Sequence, residues 1–378
     1  AACADVDVVF HIASYGMSGA EALRTNLIQE VNVGGTSNVI QACINKGVGR
    51  LIYTSTYNVV FWGSPIDGGD ESAPYIDPAV CWDSYSRTKA EAEHMVLAAH
   101  GSTLQHQQQQ GQHQQHSQEQ QQGQHQQHQQ HQQTGQQQHQ KQQGGGSGML
   151  NGSPAHLSDS QPSSSSSSSS ATDSAAAHGR AASGRGASSS SSGGKQVGAQ
   201  GAVLRTCAIR PAGIYGPGEC RHLPRVVQMV RGGLFQFVFG QGDALVDWLH
   251  VENLVEALRR AAEALLPGGP AGGQVYFISD GRPINNFEFF RPFITGLGYP
   301  FPSLSLPYRL MYFIGWLLEL MHTALKPLGI NFTPMLNRSE VNKCALTHWF
   351  HIDKARQQLG YTPVDYPMEQ TTAWFRER

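Results

Sequence analysis

Apolar residues along this chain fall into short solid runs separated by stretches where they recur at helical spacing. Asp5-Val6-Asp7-Val8-Val9-Phe10, Arg50-Leu51-Ile52-Tyr53 and Leu204-Arg205-Thr206-Cys207-Ala208-Ile209-Arg210 are the runs. Segments so short and apolar read as strands buried in a parallel sheet. Between them, Val31, Val39, Ile40, Cys43 and Ile44 trace an amphipathic helix over residues 29–45 that stops at Gly47. A second helix spans about Ser84 to His100, with Ala90, Met95, Val96 and Leu97 toward the core. A third runs through Leu254, Leu258 and Leu265, with Asp247 or Asn253 as its cap. Strands alternating with helices predict an α/β fold built on a doubly wound parallel sheet.

The connections carry their own signals. Residues 57–83 hold Trp62, Gly63, Pro65, Gly68, Gly69, Pro74 and Pro78, and read as a long loop over a strand end that shapes a pocket. Gly240-Gln241-Gly242 reads as a turn. Near the C-terminus, a helix capped by Asp353 stops at Gly360, and a last helix covers about Met368 to Arg376.

From Gly101 to about Gln200 the pattern stops. The sequence becomes Gln/His-rich, then Ser-rich, then Gly/Ser-rich, and is expected to be disordered because it holds too little apolar surface to offset the entropy of ordering. Its histidines, His106, His113, His116, His125, His128, His131 and His139, lack the companions of a defined metal site, so no metal is expected. About 280 of the 378 residues remain to build one large or two closely joined domains. A net charge of −2 gives no nucleic-acid footprint. Six scattered cysteines without a C-x-x-C pair suit reduced thiols, and no signal peptide is visible, so a secreted protein is not expected.

Candidate chemistry centres on Tyr85-Ser86-Arg87-Thr88-Lys89. Four residues apart on one helix, a phenol and an ammonium share a face, where the cation favours the phenolate. By itself such a pair also suits an exposed helix face. The strand through Leu51-Ile52-Tyr53 ends in Thr54-Ser55-Thr56, and the carboxyl ends of strands are where open α/β sheets bind ligands. A strand-end hydroxyl, a phenol and an ammonium together can move a proton on or off an alcohol oxygen while a hydride leaves or joins its carbon.

Five segments in order resemble a known family: Val8-Val9-Phe10-His11-Ile12-Ala13-Ser14, Asn32-Val33-Gly34-Gly35-Thr36, Tyr53-Thr54-Ser55-Thr56, Tyr85-Ser86-Arg87-Thr88-Lys89, and Arg210 through Gly218. Residues 1–100 and 201–378 resemble the extended short-chain dehydrogenase/reductases, in the 3β-hydroxysteroid dehydrogenase/isomerase branch, and are most similar to family 42E. The resemblance implies a Rossmann-like sheet in residues 1–100 and 201–280, N-terminally truncated, with a smaller α/β region for substrate or membrane contact in 281–378. It implies oxidation of a 3β-hydroxyl on a steroid- or sterol-like substrate with NAD or NADP. Tyr85 is then the acid/base, and Lys89 lowers the tyrosine pKa and holds the nicotinamide ribose. Thr56, or less favourably Ser55, binds the substrate oxygen, and Asn32 organises a catalytic water and the backbone. His11, Ala13, Ser14, Pro211, Gly213 and Ile214 are implied on the cofactor side. Asp247 and His250 are open as substrate contacts.

The chain opens in a strand already under way, and the glycine-rich turn of the resembled family is not found, so a fragment or truncated gene product is expected. That also leaves NAD versus NADP unread. A decarboxylating sterol 4-carboxylate dehydrogenase, a nucleotide-sugar enzyme and a catalytically silent scaffold remain as alternatives. The apolar run Leu306 to Met321 is the other open point. Arg309 and Glu319 bracket nine uncharged residues, short of the ~20 a spanning helix needs. A lid over the pocket, an interfacial anchor and a buried core helix are the three readings. A homodimer and a peripheral or anchored association with an endoplasmic-reticulum-like membrane are implied states, with a cytoplasmic location as the other.

Overall fold

A computed structural model describes residues 3, 6–105, 202–329, 332, 334 and 336–377, which belong to one compact unit. The expected disordered segment and its histidines lie outside the described residues. The chain starts with β1 (Val8–His11), then α1 (Thr25–Gln29) and α2 (Gly35–Lys46), joined without a break by a π turn at Glu30–Gly34. β2 (Arg50–Thr54), β3 (Ile66–Gly69) and α3 (Ser84–Ala98) follow. Beyond residue 201 come β4 (Arg205–Pro211), β5 (Gly213–Tyr215), α4 (Leu223–Arg231), β6 (Phe237–Phe239), β7 (Trp248–His250) and α5 (Val251–Ala264). The remainder is β8 (Val275–Ile278), α6 (Asn286–Gly296), β9 (Leu304–Leu306), α7 (Tyr308–Leu325), α8 (Arg338–Ala345), β10 (His348–Phe350), α9 (Asp353–Leu359) and α10 (Met368–Arg376).

The central sheet is parallel, in the order β1-β2-β4-β8, with Val8 opposite Arg50, Arg50 opposite Arg205 and Ala208 opposite Val275. Both of its faces are covered, which is why its strands read as solid apolar runs. Leu51, Tyr53 and Ala208 pack with Ile40 and Cys43 of α2 and Ala92 and Val96 of α3. Ile52, Ile209 and Ile278 pack with Leu254, Ala257 and Ala261 of α5 and Ala355 of α9. β1 lies at an edge of this sheet, with Phe10 on it and Ile12 just beyond its end both exposed.

Four expectations are corrected. The helix expected over residues 29–45 begins earlier, at Thr25, and contains the π turn. Residues 57–83 are not one loop: β3 pairs in parallel with β10, Ile66 opposite His348. The cap of α5 is neither Asp247 nor Asn253 but His250, whose Nδ1 accepts from the Glu252 amide at 3.3 Å. Asp353 lies in the first turn of α9, where Ile352 occupies the cap position without a side-chain bond.

The exposure of helix α7 decides one of the three readings for its segment. Met311 and Gly315 are buried, but Leu310, Phe313, Trp316, Leu317, Leu320 and Met321 are each more than 40 % exposed, so this is not a core helix. A Cβ on Gly315 would meet the Arg338 amide at 3.1 Å, and Arg338 Nε reaches Glu319 at 2.7 Å, so α7 rests on α8 by one narrow edge. None of α7 lines the large cavity described below.

The described residues on either side of 106–201 meet. Thr103 and Val203 form an antiparallel bridge, and the Leu204 and Leu104 amides donate to Ser102 O and Ala202 O at 2.9 Å.

Candidate active site

The start of α3 places the phenol. Asp83 caps the helix, accepting from the Tyr85 amide at 3.2 Å and from Ser86 Oγ at 2.6 Å, so Tyr85 enters in the first turn and is buried. Burial pushes its phenol up to about 12, with Asp83 adding; a hydrogen bond with Ser14 and the charge of Arg221 oppose the rise. The cation felt by this phenol is therefore Arg221, where the sequence pointed to Lys89. Lys89 is turned inward. Its ammonium donates to the Thr54 carbonyl at 2.6 Å and sits 4.1 Å over the Tyr53 ring. Burial pulls it down to about 7, opposed by the charge of Glu93.

The strand-end hydroxyls differ. Thr56 Oγ1 accepts from the Asn58 amide at 3.3 Å and from Asn58 Nδ2 at 3.0 Å, which leaves its proton free to point elsewhere. Ser55 Oγ is buried with no partner among the described residues. Asn32, in the π turn, is a backbone tie: its Nδ2 donates to Tyr15 O and Thr88 Oγ1, both at 3.0 Å, and its Oδ1 accepts from the Tyr15 amide at 2.8 Å. A π turn inside an α-helix commonly marks a functional position.

A cavity of about 710 Å³ opens at the carboxyl ends of β1, β2 and β4, the position at which open α/β sheets take their ligands. Tyr85, Ser55 and Thr56 line it, as do Ala13, Ser14, Pro211, Gly213 and Ile214. The backbone there is close-fitting, since a Cβ on Gly213 would meet the Trp248 ring at 3.0 Å. These residues fit the nicotinamide end of a dinucleotide. His11, Asn32 and Lys89 are not among the lining residues. The His11 ring is turned to Thr36 Oγ1, 2.8 Å away, and is pulled down to about 4 by burial and then by the charge of Lys89. It is neutral there, and its ring lies against Thr36 rather than among the residues that line the cavity.

Asp247 lines the cavity, whereas His250 does not. Burial pushes Asp247 up to about 7, with Asp280 adding; bonds from the Phe350 amide and Ser279 oppose the rise. Sequence reasoning missed Arg221, Lys343 and His348 in the lining. All three belong to loops or short elements with no period to flag them. Among the described residues no group of His, Cys, Asp and Glu is arranged to hold a metal.

The sequence model of the 3-beta hydroxysteroid dehydrogenase/isomerase family matches residues 1–110 and 190–308. The chain belongs to this family. As a member of the 3β-hydroxysteroid dehydrogenase/isomerase family it is an NAD(P)-dependent oxidoreductase. It is 42 % identical over 374 residues to short-chain dehydrogenase/reductase family 42E member 1 of Bos taurus, covering 98 % of this chain and 71 % of that one. It is 32 % identical over 366 residues to 3beta-hydroxysteroid-dehydrogenase/decarboxylase isoform 1 of Arabidopsis thaliana, covering 95 % of this chain and 59 % of that one. Among solved structures, gox2253 superimposes with a TM-score of 0.56 at 17 % identity, covering all of this chain and 80 % of that one, a likeness of fold. Among the described residues no helix of this family member is long and apolar enough to cross a membrane.

Proposed function

We propose that the chain oxidises a 3β-hydroxyl on a steroid- or sterol-like substrate. The observation that carries this is Tyr85 on the wall of a 710 Å³ cavity whose other lining includes Ile12, Met17, Val226, Met229, Trp248 and Phe290. A cavity of that size and apolarity suits a rigid hydrocarbon with one polar end. Tyr85 takes the carbinol proton, and Arg221 and the Ser14 hydrogen bond favour the phenolate that must first form. Thr56 donates its free proton to the substrate oxygen and holds it toward Tyr85. Lys89, anchored on the Thr54 carbonyl, supplies positive charge behind the site. NAD or NADP, held by Ala13, Ser14 and Pro211 to Ile214, supplies the hydride acceptor.

The test is turnover of 3β-hydroxysteroids with each coenzyme. Thr56→Ala is expected to lower kcat about 100-fold and Ser55→Ala by less than about 10-fold, by the usual weight of one donor on a developing oxyanion. The reverse order would reassign the hydroxyl. Absence of turnover with either coenzyme would sink the proposal.

One observation favours a second reading, a substrate with a carboxylate beside the carbinol. Arg221 lines the cavity, and among the described residues no carboxylate pairs with its guanidinium, which reaches only the Ser14 carbonyl at 3.4 Å. The Arabidopsis relative's name joins dehydrogenase with decarboxylase. A lower KM for a 4-carboxysterol than for its neutral counterpart supports this reading, and equal values refute it.

The exposed apolar face of α7 supports a peripheral membrane association, with the helix lying in the interface. Phe313 and Trp316 stack at 5.6 Å on that face. At about 1.5 kcal/mol for each large side chain withdrawn, Phe313→Glu with Trp316→Glu is expected to weaken binding to phosphatidylcholine vesicles about 100-fold. Unchanged sedimentation with vesicles would leave α7 without this role.

A further inference from the structure

A buried charge network outside the cavity ties the catalytic helix to β4, the strand that leads into Ala212 and β5. Glu93, one turn beyond Lys89 on α3, is fully buried, and so is Arg210 at the end of β4. Arg210 grips the carboxylate three times, Nη2 to Oε1 at 2.6 Å and Nε to Oε1 at 3.0 Å and to Oε2 at 3.3 Å, and the Tyr75 hydroxyl donates to the same Oε1 at 2.7 Å. Tyr75 and Phe277 flank the guanidinium, 4.9 and 5.2 Å from their ring centres.

A lysine and a glutamate four residues apart on a helix lie within reach of one another. Here they do not pair. Among the described residues no carboxylate lies within ion-pair distance of the Lys89 ammonium, which reaches the Thr54 carbonyl instead. Arg210 and Tyr75 occupy the carboxylate and hold it back, yet its charge still acts on Lys89. The other ionisable groups around the ammonium add no negative charge of their own. From β1 comes the neutral His11, from β2 the Tyr53 ring, and from α3 the Tyr85 phenol. Glu30 of the π turn and Glu91 of α3 are exposed.

We propose that Glu93 and Arg210 are positioning residues that govern whether Lys89 carries its proton: Glu93 keeps it charged inside the fold, and Arg210 prevents Glu93 from drawing the ammonium off Thr54. This rests on the proposed dehydrogenase reading for what Lys89 does, but its charge state can be measured without turnover.

The two variants move Lys89 in opposite directions. Glu93→Gln leaves two buried cations near each other, so Lys89 gives up its proton more readily. Arg210→Gln frees the Glu93 carboxylate to pair with Lys89, which then holds its proton more firmly. The experiment is an NMR titration of the full chain labelled with 13C at the lysine ε-carbon, with the Lys89 signal assigned by its loss in Lys89→Met. Glu93→Gln is expected to lower the midpoint by about one pH unit or more, and Arg210→Gln to raise it by a similar amount. The alkaline limb of kcat/KM follows each shift, and the KM for coenzyme rises in Arg210→Gln. A merely structural pair would unfold or weaken both variants without opposed midpoints.

If either single variant fails to fold, Glu93→Gln with Arg210→Gln buries no lone charge. Its midpoint is expected below that of the wild type, because Glu93 is the charge that acts on Lys89. Midpoints unchanged in Glu93→Gln or in the double variant, or shifted the same way by both single variants, overturn the proposal. Opposed midpoints without turnover would refute the dehydrogenase reading alone, and turnover with unmoved midpoints would refute this one.

Discussion

Tyr85→Phe is expected to lower kcat on a 3β-hydroxysteroid about 1000-fold and to leave the coenzyme KM within about threefold. The ring is buried and helix α3 starts at the Asp83 cap, so removing one oxygen leaves the packing in place. What disappears is the group that exchanges a proton with the carbinol. The phenol stands near 12, well above neutral, so the oxidation direction should quicken with pH until Lys89, held near 7, gives up its proton. A Tyr85→Phe enzyme that kept both rate and pH dependence would show that another group moves the proton, and Asp247, held near 7 in the same cavity, would be the first to examine.

The second large effect is on stability. Asn32→Ala removes three hydrogen bonds at once and leaves the Tyr15 amide and carbonyl and the Thr88 hydroxyl short of a partner. At about 1 kcal/mol for each bond lost, and more where a buried group is left unpaired, the cost is about 3 kcal/mol. For a fold of this size that is a fall in Tm of roughly 6–12 °C. The loss is not only structural. Tyr15 follows Ser14 on the cavity wall and Thr88 lies one residue from Lys89, so the loosened tie should also raise the coenzyme KM. A Tm within about 2 °C of the wild type would mean that water replaces the amide at little cost.

The sheet was readable in the chain because β2 and β4 are covered on both faces and so appear as solid apolar runs. Tyr85 and Lys89 were readable because helical spacing alone puts them on one face. Which atoms they meet was not. The Thr54 carbonyl, Glu93 and Arg221 reach these groups through tertiary packing, and no spacing rule encodes it. The β3–β10 pair was hidden for a related reason: Ile66-Asp67-Gly68-Gly69 has no alternation, and its partner is some 280 residues away in the sequence. His250 escaped as a cap because imidazoles are uncommon there. The apolarity of α7 is that of a core helix, so sequence could not tell an outward face from an inward one.

The bridge between Thr103 and Val203 has a consequence for how this gene can vary. With main-chain bonds at Leu104 and Leu204 fastening the neck, the strand pairing beyond it is indifferent to how many residues lie between. A change in the number of glutamines and serines between them is expected to be absorbed at this closed junction before it reaches α3 or β4. A chain with a longer or shorter tract is therefore expected to keep the same geometry in α3 and β4.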